Sequence, residues 1–152
     1  MADTFLNENR IGLLIWLTSN NWQSKLRKIL KNSNISLNEY LILETLYKSG
    51  NSNENSSQII LSKNSCLDVS VVSTTLNLLE DKKFIIKLKV DNRSKKIKLT
   101  ELGKTLVLSL INNIEEEENS LFNKLGNETF NFTNSLKLLL GKKIRIKANY
   151  NE

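Results

Sequence analysis

A chain of 152 residues, 39% hydrophobic and 25% charged, is long enough to bury one real core and has the composition of an ordinary globular protein. Its formal charge of +6 favours a polyanionic partner, while the absence of histidine excludes His-based catalysis and the usual His-containing metal sites. A single cysteine excludes an intrachain disulfide and fits a reducing, cytoplasmic setting.

Taken in order, residues from Thr4 to about Lys31 carry apolar positions at helical spacing, including Phe5, Leu13, Trp16, Trp22, Leu26 and Leu30. The apolar run Ile11–Leu17 lacks the basic leader of a secretory signal and is far shorter than the roughly 20 residues of a membrane span, so it reads as buried helix. Its apolar surface exceeds what one exposed helix needs, which calls for a partner within the chain or from a second copy. Ser36-Leu37-Asn38-Glu39 is a capping box flanked by Ile35 and Tyr40 at the positions of a hydrophobic staple, and it predicts a central helix stopped by a left-handed Gly50. Asn51–Ser57 reads as a polar loop, followed by a short helix through Ser57–Lys63.

Asp68 is placed as the N-cap of a helix reaching about Lys83. Val72, Leu76 and Leu79 share one side with Val69 and Thr75 beside them. Ser70, Thr74, Asn77 and Asp81 lie opposite, with Ser73 at the edge. A small polar face of this kind lets a helix backbone approach DNA, although a merely solvated face has the same composition.

Residues 84–99 alternate apolar and basic side chains on both sides of a polar break, which predicts a β-hairpin. Ile86, Leu88, Val90, Ile97 and Leu99 are expected on one face and Lys87, Lys89, Lys96 and Lys98 on the other, with Arg93 at the tip. Thr100 then caps a helix continuing to about Leu125, longer than a small core covers, so it is expected to pack against another subunit. The acidic run Glu115–Glu118 reads as a solvated face. A last helix spans Asn127–Leu140, stops at Gly141 and precedes a basic tail, Lys142–Lys147, which either touches nucleic acid or, the favoured reading, is simply solvated.

Helix, short helix, polar-faced helix and basic hairpin make a winged helix-turn-helix. The chain is therefore expected to be mainly α with a small β-hairpin wing. Its divisions are a dimerisation helix over 1–34, a DNA-binding domain over 35–100, and C-terminal dimerisation helices over 101–152. Arg93, one of four arginines among 22 basic residues, suits the narrow minor groove of A·T-rich DNA.

These residues carry a resemblance to the MarR (multiple antibiotic resistance regulator) family. Asp91-Asn92-Arg93-Ser94-Lys95-Lys96-Ile97-Lys98-Leu99-Thr100-Glu101-Leu102-Gly103 is similar to the family's wing signature, an Asp-x-Arg tip followed by a strand and then Leu-Thr-x-x-Gly opening a long helix. Leu67-Asp68-Val69-Ser70-Val71-Val72-Ser73 resembles the start of its recognition helix, and together the matches cover about residues 36–107. The resemblance implies a homodimer binding pseudo-palindromic double-stranded DNA, with a small aromatic effector in many relatives, no cofactor and no membrane association. It places Ser70, Ser73, Thr74 and Asn77 toward the major groove, Asp91 and Ser94 at the wing tip, Arg93 in the minor groove, and Lys89 and Lys95 near phosphates.

Two departures stand out. Val69 and Thr74 occupy positions where many relatives are basic, so the bidentate arginine contact to guanine is missing from this helix and modest base discrimination is expected. Cys66 lies away from the position of the redox-sensing thiols of some relatives and is expected to be a buried core residue. No catalytic or metal-binding constellation is present, so an enzyme is not expected. The alternatives are a winged-helix dimer acting through protein contacts and a nonspecific nucleic-acid binder.

Overall fold

The computed structural model describes residues 6–50, 56–92 and 95–145. The chain forms two compact units, residues 1–115 and 116–152.

The first unit begins with a one-turn helix, α1 (Leu6–Asn9), and a long helix, α2 (Ile11–Leu30). The expected single helix is broken because Arg10 takes extended backbone angles (φ −87°, ψ 105°) as the N-cap of α2; Thr4 lies outside the described residues. Only the C-terminal part of α2 enters the core, through Leu26 and Leu30. Ile11, Leu14, Ile15, Trp16 and Leu17, expected to be buried, are exposed in the single chain, Trp16 by 60%.

The chain leaves α2 through a 3-10 turn, Lys31–Ser33, and a left-handed Asn34 (φ 52°) before α3 (Leu37–Ser49). The capping box forms as its sequence dictates: Glu39 N–H donates to Ser36 Oγ (3.1 Å) and Ser36 N–H donates to Glu39 Oε2 (2.6 Å). Ile35 and Tyr40, the two staple residues, are both buried. Gly50 departs from expectation: it stays in the right-handed region (φ −65°), so α3 runs out without a left-handed reversal. Leu37, Tyr40, Ile42, Leu43 and Leu46 make α3 the centre of the core.

Helices α4 (Gln58–Ser65) and α5 (Val69–Asp81) follow. Cys66 is the C-cap of α4 and takes a left-handed φ of 61°. The turn that this produces faces the thiol outward, so Cys66 is exposed and not part of the core. The inner face of α5 is Val72, Thr75, Leu76 and Leu79; Val69, expected beside them, is half-exposed because it opens the helix before the first turn reaches the core. A Schellman pattern ends α5: Lys83 takes φ 63° and donates to Glu80 O (2.9 Å), and Phe84 N–H donates to Leu79 O (3.0 Å).

Strands β1 (Ile85–Lys89) and β2 (Lys95–Leu99) form the antiparallel hairpin. Its faces differ from the expected ones. Ile85 pairs with Leu99, Lys87 with Ile97 and Lys89 with Lys95, whereas Ile86 and Leu88 pair with Lys98 and Lys96. Five residues, 90–94, connect the strands, and an odd-length connection sets positions of equal parity opposite each other. The inward face is therefore Ile85, Lys87, Ile97 and Leu99; Ile86 and Leu88 point outward, 44% and 41% exposed, beside Lys96 and Lys98. A further bond, Ile97 N–H to Ser56 O (3.0 Å), ties β2 to the residue just ahead of α4.

The next helix, α6 (Glu101–Phe122), ends three residues before the expected Leu125, where a 3-10 stretch (Asn123–Glu128) with a kink at Gly126 intervenes. Thr100 is its cap, accepting from Gly103 N–H (3.0 Å) and donating to Lys83 O (2.7 Å). Val107, Leu110 and Ile114 complete the core of the first unit, while Leu102 is exposed. In the second unit, α7 (Thr129–Leu139) has no fully buried residue and leaves Leu138, Leu139 and Leu140 largely exposed. Gly141 turns left-handed (φ 65°) and lets Lys142 N–H reach Lys137 O at 2.8 Å. The start of the basic tail is held to α7 by Asn134, which exchanges two bonds with Arg145. Among the described residues, no helix is long and apolar enough to cross a membrane.

Candidate nucleic-acid interface

The polar face of α5 exists because its opposite face must pack. Burial of Val72, Leu76 and Leu79 fixes the helix rotation, and the 100° step then turns Ser70, Thr74 and Asn77 to solvent, with Ser73 half-buried beside them. The helix is anchored at its first residue by Gln58 Nε2, which donates to Val69 O (3.1 Å), and the turn before it is anchored by Ser62 Oγ to Leu67 O (2.5 Å). At its far end Lys82 Nζ reaches Glu39 Oε1 (2.7 Å) and Asn34 O (2.8 Å), tying α5 to the N-terminus of α3. Glu39 is 3% exposed. Burial raises its pKa, but the hydrogen bonds from Lys82 and Ser36 outweigh this and hold the carboxyl below its ordinary value.

The hairpin stands against one flank of α5. Their boundary is a groove of about 520 Å³ whose wall includes Ser73, Asn77, Gln58, Lys87, Lys95 and Ile59. Lys89 and Lys95, paired across the hairpin, are exposed, as is Asp91. Lys87 is not on the outer basic face: its side chain is only 15% exposed, and its ammonium sits 2.9 Å from Glu80 Oε2 and 2.6 Å from Asn77 Oδ1. Arg93 and Ser94 lie outside the described residues.

Of the residues singled out from sequence, Ser70, Thr74, Asn77, Lys89, Asp91 and Lys95 are thus exposed on α5 and the adjoining hairpin, and Ser73 is half-buried beside them. Sequence reasoning missed the inward role of Lys87, which depends on hairpin register, and the part of Gln58 and Ile59 in the groove wall. No signal within α4 marks those two residues.

A short helix, a turn, a helix with a small polar outer face and a hairpin with exposed lysines define a winged helix-turn-helix protein. No protein-family model and no curated protein matches the sequence. Solved structures do. MepR of S. aureus, in a structure with DNA, is 25% identical over 86% of this chain and 96% of its own, with a TM-score of 0.78. BpsR of Bordetella bronchiseptica shares the fold at 18% identity, 87% and 95% coverage and a TM-score of 0.76. A MarR-family transcriptional regulator of Silicibacter pomeroyi shares it at 19% identity, 93% and 94% coverage and a TM-score of 0.71. The chain thus shares the winged helix-turn-helix fold of solved regulators of the MarR family.

Proposed function

We propose that this protein is a homodimeric, sequence-specific DNA-binding regulator of transcription, acting in the cytoplasm as a repressor of a pseudo-palindromic operator. The observation that carries this reading is the uncharged polar face of α5 lying beside the exposed Lys89 and Lys95 of the hairpin, across one groove. In this arrangement α5 enters the major groove, with Ser70, Ser73, Thr74 and Asn77 toward base edges. The hairpin follows the backbone, its lysines neutralising phosphates and Arg93 reaching the minor groove beside Asp91 and Ser94. Residues 35–100 serve DNA reading, and residues 1–34 and 101–152 serve dimerisation. The apolar side chains left open on α2 and at the end of α7 support a second copy as their cover. The structure of BpsR describes regulation of its DNA binding by 6-hydroxynicotinic acid, which supports a small aromatic effector here as well. The chemistry required is binding, with no bond made or broken, so this reading includes no enzymatic activity and no cofactor.

Selection of bound sequences from randomised duplex DNA tests this. The expected result is an enriched pseudo-palindrome whose half-sites lie about one helical turn apart, with Arg93→Ala binding it about 1–3 kcal/mol more weakly. If Arg93→Ala binds as well as wild type across a salt series, the wing assignment fails. The outward-facing Ile86 and Leu88 favour one second reading, a dimer that works through protein contacts at the wing. Absence of any enriched duplex at low salt selects that reading, and equal affinity for scrambled DNA or RNA selects a nonspecific binder.

A further inference from the structure

Asn77 is the one amide on the outer face of α5, and that amide is not free to turn. Lys87 enters from the hairpin and places its ammonium 2.6 Å from Asn77 Oδ1. An ammonium only donates, so the atom facing it must be the carbonyl oxygen, and the orientation of the amide follows. Glu80, one turn further along α5, holds the same ammonium at 2.9 Å and keeps it from swinging away. The lysine is only 15% exposed, so although its side chain lines the groove, its ammonium is directed to Asn77 and Glu80.

We infer that Lys87 locks Asn77 as a hydrogen-bond donor, making the pair a composite reader of guanine at one base pair of each half-site. The inference rests on the DNA-binding reading above. An unconstrained asparagine favours adenine, whose N7 accepts and whose N6 amino group donates. Here the amide oxygen is engaged by a cation, and the Nδ2 hydrogens are what remains to offer. Guanine presents two acceptors, N7 and O6, to that donor group. Adenine would instead bring its N6 donor toward an occupied oxygen with a positive charge behind it. The positive field that an arginine on the recognition helix would supply comes in this chain from the hairpin. Asn77 is the contacting residue and Lys87 a positioning residue acting through it.

The test uses the full-length protein and the duplex enriched from the random pool, with every base pair substituted in turn. Wild type is expected to prefer guanine over adenine about tenfold at one pair of each half-site. Lys87→Met keeps the length of the side chain and removes the donor. It should abolish that preference and admit adenine at the same pair, leaving discrimination elsewhere unchanged; a merely structural lysine would lower affinity evenly at all pairs. Asn77→Asp, exposed and independent of the stability of the hairpin variant, should lose the guanine preference at that pair. An unaltered profile in either folded variant, or an adenine preference in wild type, overturns the inference while leaving DNA binding intact. Failure of wild type to enrich any duplex overturns the DNA-binding reading itself.

Discussion

Gly103 packs against the carbonyl of Phe84 so closely that a Cβ at this position would overlap the carbonyl oxygen and lie 3.0 Å from its carbon. Phe84 cannot withdraw cheaply, because the same carbonyl accepts from Thr100 N–H at 3.0 Å. Alanine in a helix normally gains about 1 kcal/mol over glycine, but overpacking against backbone costs more. Gly103→Ala is therefore expected to destabilise by about 2 kcal/mol and lower Tm by several degrees, as calorimetry would show. At Gly12, where an added methyl meets nothing within 4 Å, the same substitution should cause no such loss.

The Glu39–Lys82 pair makes stability depend on acid. The folded carboxyl titrates below its ordinary value of 4.5, so its contribution is complete above that value and is lost as pH falls through the lowered folded pKa. Glu39→Gln should cost about 3 kcal/mol at neutral pH, since it breaks a buried ion pair. The gap between variant and wild type should close below pH 4.5. Urea titrations across that range measure it; a gap that widens in acid would reverse the assignment.

Hairpin register predicts which lysines meet phosphate. Lys95, on the face shared with Lys89, should on replacement by alanine reduce the slope of log K against log salt by about 1. Lys98 lies on the opposite face with Ile86, and its alanine variant should leave the slope as it is.

The second copy proposed to cover the exposed run on α2 makes self-association sensitive to one residue. Trp16→Glu should weaken self-association by at least about 2 kcal/mol, the loss typical of a buried aromatic anchor. Sedimentation at a series of concentrations would show it. An unchanged dimer would move the interface elsewhere.

Local features were readable from the chain and distant ones were not. Ser36 and Glu39 announce their cap because both partners lie within one turn, and the buried side of α5 follows from spacing alone. The hairpin faces could not be read with the same certainty. Periodicity says that residues alternate, while the pairing of Lys87 with Ile97 depends on a connection whose length the alternation leaves open. Cys66 was expected in the core because it fills an apolar slot just before the polar-faced helix, yet at the end of α4 it takes a left-handed backbone and is exposed. Trp16 was misplaced for a different reason: spacing shows that one face of α2 is apolar but not which body covers it.

The bond from Ile97 N–H to Ser56 O gives the hairpin one flank that belongs to the helical body. A free two-stranded ribbon frays from both ends, but β2 of this one is held to the helical body at Ile97. Deuterium uptake should then divide the ribbon lengthwise. The amide of Ile97 exchanges only when the whole first unit opens, and amides near Lys89 exchange through local opening. Through Ile97, which belongs to the core cluster, β2 shares the stability of the helices it is packed on.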